Sequence, residues 1–116
     1  MAAESTLTID AIPGSAPGTM ILRLAGPMTL ANLPPLRAHL RSGEPPRLTI
    51  LDMTGVSFMD SSGINEIISH EVYCRDHHVR LALAGVTPRV LGVLQITRLD
   101  KVLTIAATVE AAEAMA

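Results

Sequence analysis

Apolar positions along the chain fall into short clusters separated by turn residues, and their period switches between two and about 3.6. Thr6-Leu7-Thr8-Ile9 alternates polar and apolar, as a half-buried strand does. Pro13-Gly14-Ser15-Ala16-Pro17-Gly18 breaks the pattern, and Met20-Ile21-Leu22-Arg23-Leu24-Ala25 resumes it. The pair predicts a hairpin with a loose loop, stopped by Gly26-Pro27. Leu30, Leu33, Leu36 and Leu40 then lie near helical spacing and predict a helix over roughly 30–42. Pro34 and Pro35 are tolerated only in a first turn, which moves its start toward Asn32.

Leu48-Thr49-Ile50-Leu51-Asp52-Met53 is almost wholly apolar and reads as a central strand after the Gly43-Glu44-Pro45-Pro46 break. From Ser62 to about Arg75, Ile64, Ile67, Ile68 and Val72 form an apolar stripe, with Glu66, His70 and Glu71 expected beside it. Val79–Gly85 predicts the next strand. Thr87-Pro88 supplies an N-cap and a first-turn proline for a helix that turns Val90, Leu91 and Leu94 inward. Val102-Leu103-Thr104-Ile105 predicts a short last strand, and Thr108 opens an alanine-rich helix. The order is β-β-α-β-α-β-α-β-α. Helix-linked strands imply parallel pairing with right-handed crossovers, and the hairpin adds one antiparallel pair. The expected fold is thus α/β, a mixed β-sheet layered with helices in one domain over 1–116.

Composition narrows the function. The chain has 116 residues, 48% of them apolar, enough for a core of its own, while aromatics are 2%. An aliphatic protein with net charge −2 and no Lys/Arg run offers neither a stacking platform nor a basic track, which argues against nucleic acid as a partner. Cys74 has no second cysteine to pair with, which fits a reducing compartment. Met1-Ala2-Ala3-Glu4-Ser5-Thr6 lacks the basic start and apolar run of a signal peptide. No apolar run approaches the ~20 residues of a membrane span. A cytoplasmic protein without membrane insertion is expected.

Candidate chemistry concentrates at Asp60-Ser61-Ser62-Gly63, between the central strand and the helix that follows. Turn and capping residues are ordinary in such a loop. A helix start, however, presents unpaired N–H groups and favours negative charge, so a phosphate on Ser61 is compatible with the fold and adds about −1.5 to −2 charges. Other reactive side chains read as structural. Cys74 is expected as a packed small hydrophobe, and Asp76 with His77-His78 as a solvated loop lacking a second ligand pair. His39 and His70 are expected on helix surfaces. Ser61 as a hydrolase nucleophile lacks the Gly-x-Ser-x-Gly context, so an enzyme is not expected.

The segment from Leu51 to Ile68 resembles the signature of STAS domains of the bacterial anti-sigma factor antagonist type, in which a strand leads into Asp-Ser-Ser-Gly or Asp-Ser-Thr-Gly. Gly26, Asp52 and Leu99-Asp100-Lys101-Val102 extend the likeness over most of the chain. The resemblance implies a STAS-like sheet, phosphorylation at Ser61, and partner contacts through Asp60, Ser62, Gly63 and the loop bearing Met28 and Thr29. It implies as partners an anti-sigma factor that is also a serine kinase of the histidine-kinase-like ATPase fold, and a serine phosphatase. It implies no cofactor. The alternative it leaves is an accessory or scaffold part of a stress-signalling complex or a lipid-transport ABC system. The chain departs from the family pattern at Gly26-Pro27-Met28-Thr29, where relatives often carry Gly-Glu-Leu-Asp. It departs again at Arg98, where many carry glycine, and at Asn65-Glu66, where small or apolar residues are common.

Overall fold

The computed structural model describes residues 6–116; the leader-free start expected over the first five residues lies outside them. Strands β1 (Thr8–Pro13), β2 (Thr19–Met28), β3 (Leu48–Met59), β4 (Arg80–Ala84) and β5 (Ile105–Ala106) form one sheet in the order β1-β2-β3-β4-β5. β1 and β2 are antiparallel, and every other neighbouring pair is parallel. Helices α1 (Leu33–Arg41), α2 (Ser61–Asp76) and α3 (Pro88–Ile96) are the three crossovers, and α4 (Val109–Glu113) ends the chain.

The sheet advances one strand at a time in the same direction, so right-handed crossovers must place α1, α2 and α3 on one face. The core confirms this. Leu22, Leu24, Leu51, Met53, Leu81 and Leu83 on the strands pack with Leu33, Leu36, Leu40, Ile67, Cys74, Val90 and Leu94 of the three helices. The strand positions between them, Ile21, Leu48, Ile50, Ala82 and Ala84, face the other way and meet Ala112 of α4. Alanines on that face let a five-residue helix sit close to the sheet. A fully buried leucine such as Leu36 contributes roughly 1.5–3 kcal/mol.

The strands nearest Ser61 are longer than their hydrophobic pattern suggests. β2 does not stop at Gly26-Pro27 but continues to Met28, with register shifts between Arg23 and Ala25 and between Gly26 and Pro27. Gly26 makes this possible: its φ is +116°, and a β-carbon there would run into the carbonyl of Thr6. β3 extends past Gly55 and Ser57 to Met59, where it pairs with Met28. Pro34 and Pro35 occupy the first turn of α1 after a 3-10 turn at Leu30–Asn32. Leu30, expected inward, is 70% exposed because it belongs to that turn rather than to the helix. Thr87 and Thr108 cap their helices by accepting from the Val90 and Ala111 N–H groups. Val102 and Leu103, expected in the last strand, instead follow a 3-10 turn at Leu99–Lys101. Arg98 opens that turn at φ 62°, the left-handed conformation that glycine adopts freely.

Candidate functional site

The ends of β2 and β3 carry the Asp60–Gly63 loop. Met28 pairs with Met59, and the Asp60 N–H donates to the Met28 carbonyl at 3.2 Å, so the last strand bond leads directly into the first helical turn. Asp60 keeps an extended backbone, and its Oδ1 accepts from the N–H groups of Ser62 (2.9 Å) and Gly63 (3.1 Å). Its own carbonyl accepts the Ile64 N–H, the first bond of α2. Asp60 is therefore the N-cap and Ser61 the first helical residue, exposed to solvent.

This geometry changes the electrostatic picture drawn from the sequence. The N–H groups of Ser62 and Gly63, which an anion at a helix start would otherwise engage, are already satisfied by Asp60. A phosphate on Ser61 adds its charge to a carboxylate already present and projects it outward. A phosphate there would make the local field more negative by nearly its full charge without needing the two N–H groups that Asp60 already holds.

The implied contact residues separate into two groups. Ser61 is exposed, and Asp60, Ser62 and Thr29 are half-buried, so all four reach the surface. Met28 and Gly63 do not. Met28 is completely buried, and a β-carbon on Gly63 would stand 2.7 Å from the Met28 carbonyl oxygen and 2.6 Å from Met59 Cγ. These two residues shape the site from beneath and cannot be touched by a partner, which corrects their assignment as contacts. Two side chains missed by sequence pattern stand at the same end of the sheet: Leu30 just after β2, and Phe58 near the end of β3 at 45% exposure. Leu30 shares the helical spacing of Leu33, Leu36 and Leu40, which pointed inward, and Phe58 lies beyond the strand pattern that ends at Met53. A shallow groove of about 200 Å³ runs from Leu30 past Ser62, Asn65 and Arg37.

The buried face of α2 also differs from expectation. Ile67 and Cys74 face inward as expected, but Gly63, Glu66 and His70 join them, while Val72 is 51% exposed. Glu66 is held by Arg37 of α1, whose Nε and Nη2 reach Glu66 Oε1 at 2.9 and 2.8 Å. His70 stacks on Tyr73 with ring centroids 5.2 Å apart, and the Arg41 guanidinium lies 4.7 Å from the Tyr73 ring centre. Burial, helped by the charge of Arg41 and opposed by Glu66, lowers the His70 pKa to about 4. Burial, with Glu71 adding and Arg41 opposing, pushes the Cys74 thiol up to about 11. At neutral pH the thiol stays protonated and weakly reactive. His39 is exposed, and so are His77 and His78, with His77 Nδ1 bound to the Tyr73 carbonyl at 2.8 Å. Among the described residues, no cluster of three or more His, Cys, Asp or Glu side chains could hold a metal ion, and no helix is long and apolar enough to cross a membrane.

The fold is a mixed sheet with three helices on one face, and Ser61 begins the second of them. The STAS domain model matches residues 13–112, and the chain belongs to that family. The chain is 33% identical over 94 residues to mouse "Solute carrier family 26 member 10"; the match takes in 72% of this chain but only 14% of that protein's length. The fold superposes on an anti-sigma factor antagonist from Mycobacterium paratuberculosis with a TM-score of 0.83 at 16% identity, covering 94% of this chain and 92% of that one. It also matches the Bacillus cell fate determinant SpoIIAA in its phosphorylated form, with a TM-score of 0.73 at 20% identity, over 94% of this chain and all of the other.

Proposed function

We propose that the chain is an anti-sigma factor antagonist, a binding switch controlled by phosphorylation of Ser61. Unphosphorylated, it binds an anti-sigma factor that is also a serine kinase of the histidine-kinase-like ATPase fold, and so regulates transcription without contacting DNA. The kinase then moves the γ-phosphoryl group of ATP onto Ser61 Oγ. A new O–P bond forms, ADP leaves, and the hydroxyl proton passes to a base on the kinase. The charged product is released, and a serine phosphatase hydrolyses the ester to restore the binding form. The chain contributes a substrate hydroxyl and a docking surface but no catalysis and no cofactor, and it acts in the cytoplasm.

One observation carries this reading: the exposed Ser61 hydroxyl stands on a helix start whose cap is complete without it. Adding a phosphate there leaves the fold's hydrogen bonds in place while changing the charge presented beside Thr29, Leu30 and Ser62. Asp60, Ser62 and Thr29 then serve as polar contacts around the switch, with Leu30 and Phe58 as apolar ones. The fold-level likeness to an antagonist, and to a relative described in a phosphorylated form, supports the same reading. Incubation with ATP and the cognate kinase should add one phosphate, located at Ser61 by peptide mass spectrometry and lost in Ser61→Ala. An unmodified chain beside an active kinase would refute the assignment.

The identity shared with a solute carrier favours a second reading, in which the domain is an unphosphorylated accessory or scaffold part of a membrane transport system and Ser61 only begins a helix. Neighbouring genes separate the two. A serine kinase or phosphatase supports the switch, whereas transporter components support the accessory role.

A further inference from the structure

At the end of the sheet remote from Ser61, a cavity of about 390 Å³ opens where β2, β3 and β4 begin. Thr19, Leu48 and Arg80 are successive cross-strand neighbours on its floor, and Arg47, His78, the Ala16-Pro17 loop and Ala116 line its walls. Thr19 is only 6% exposed, and its hydroxyl has no hydrogen-bond partner among the described residues, an exception among buried polar groups that calls for an explanation. Neither the Arg47 nor the Arg80 guanidinium has a carboxylate within 4.0 Å among the described residues. Arg80 is held in place by one bond, Nη1 to the Met115 carbonyl at 2.6 Å, which leaves its remaining donors for other partners. The stem of Arg47 lies against Gly18, where a β-carbon would stand 3.0 Å from Arg47 Cδ. The nearby carboxylate of Glu113 is committed elsewhere, accepting from the Ser15 N–H and hydroxyl at 2.6 and 2.8 Å and so fastening the loop that walls the cavity.

We propose that this cavity is an oxyanion site that binds a phosphate group. Two guanidiniums with no ion-pair partner within 4.0 Å among the described residues, beside a buried hydroxyl, repel cations and match the planar, multidentate recognition of phosphate. The volume falls in the range of small-molecule sites and exceeds what a free ion needs, so the class of ligand is a small phosphate monoester. The twelve residues of β3 separate this site from Ser61 by roughly 35 Å, so it is distinct from the switch and does not depend on that reading.

The test is a titration of the full-length, isotope-labelled chain with inorganic phosphate and, separately, with glycerol phosphate. Both are followed by amide NMR at neutral pH and constant ionic strength. Saturable shifts are expected at Thr19, Leu48 and Arg80, with at least tenfold weaker binding in Arg47→Gln and Arg80→Gln and about threefold weaker binding in Thr19→Val. Tighter binding of the monoester supports an organic phosphate as ligand; equal binding supports the oxyanion site but assigns it to the free ion. Absence of saturable shifts with either probe, or unchanged affinity in Arg47→Gln, overturns the proposal. Should Arg80→Gln fail to fold, Arg47→Gln and Thr19→Val decide it.

Discussion

Gly63 and Met28 are in such close contact that a β-carbon on the first would stand 2.7 Å from the carbonyl oxygen of the second. The same oxygen accepts the Asp60 N–H, so it is fixed from two directions. Replacing Gly63 with alanine gains about 1 kcal/mol of helix propensity but forces a strained contact with backbone that cannot move aside, costing about 1–3 kcal/mol. Strain should win. Gly63→Ala is predicted to lower stability by about 1 kcal/mol in urea unfolding and to shift the amide resonances of Asp60 and Ser61. A stabilised variant would show that the helix start is not seated on β2.

The Arg37–Glu66 pair links α1 to the helix that bears Ser61. The Glu66 side chain is 3% exposed, whereas that of Arg37 is 57% exposed, so removing the arginine leaves a carboxylate with little access to water. Arg37→Ala should cost about 2 kcal/mol, and Arg37→Ala combined with Glu66→Gln should recover part of that loss. A double-mutant cycle reads the coupling directly. Strict additivity would mean the two side chains do not support one another.

His70 makes stability depend on pH. Its pKa in the folded chain, about 4, lies below the ordinary 6.5, so the unfolded chain binds more protons between these values. Stability from this group is therefore fully present above pH 6.5 and is lost as pH falls toward 4. Between pH 7 and pH 5 the loss should be about 2 kcal/mol. His70→Phe, which keeps a ring against Tyr73 but cannot take a proton, should flatten that part of the profile. Equal pH dependence in the two proteins would place the titrating group elsewhere.

Element order, parallel pairing and caps were legible because each has a local cause: alternation that marks the first strand, although β1 runs Thr8–Pro13 rather than from Thr6, proline after Thr87, a threonine before the last helix. The Asp60–Ser61 junction was legible for the same reason. The inward face of α2 was not. Hydrophobicity pointed to Ile64, Ile68 and Val72, yet Glu66 and His70 are buried because Arg37, Arg41 and Tyr73 receive them, contacts that exist only after α1 and α2 meet. Ile67, part of the predicted stripe, and Cys74, expected as a packed small hydrophobe, are buried as read; Gly63 on the same face carried no apolar signal. The extension of β2 through Gly26-Pro27 was hidden because turn residues there serve bulges rather than a stop. The burial of Met28 follows from that extension.

The central claim concerns charge at Ser61. The most direct measurement is calorimetric titration of the cognate anti-sigma kinase with unmodified, Ser61→Ala and Ser61-phosphorylated chain. Unmodified and Ser61→Ala proteins should bind with similar affinity, and the phosphorylated form at least about tenfold more weakly, a difference of about 1.4 kcal/mol. Equal affinity of the phosphorylated and unmodified forms would contradict the account.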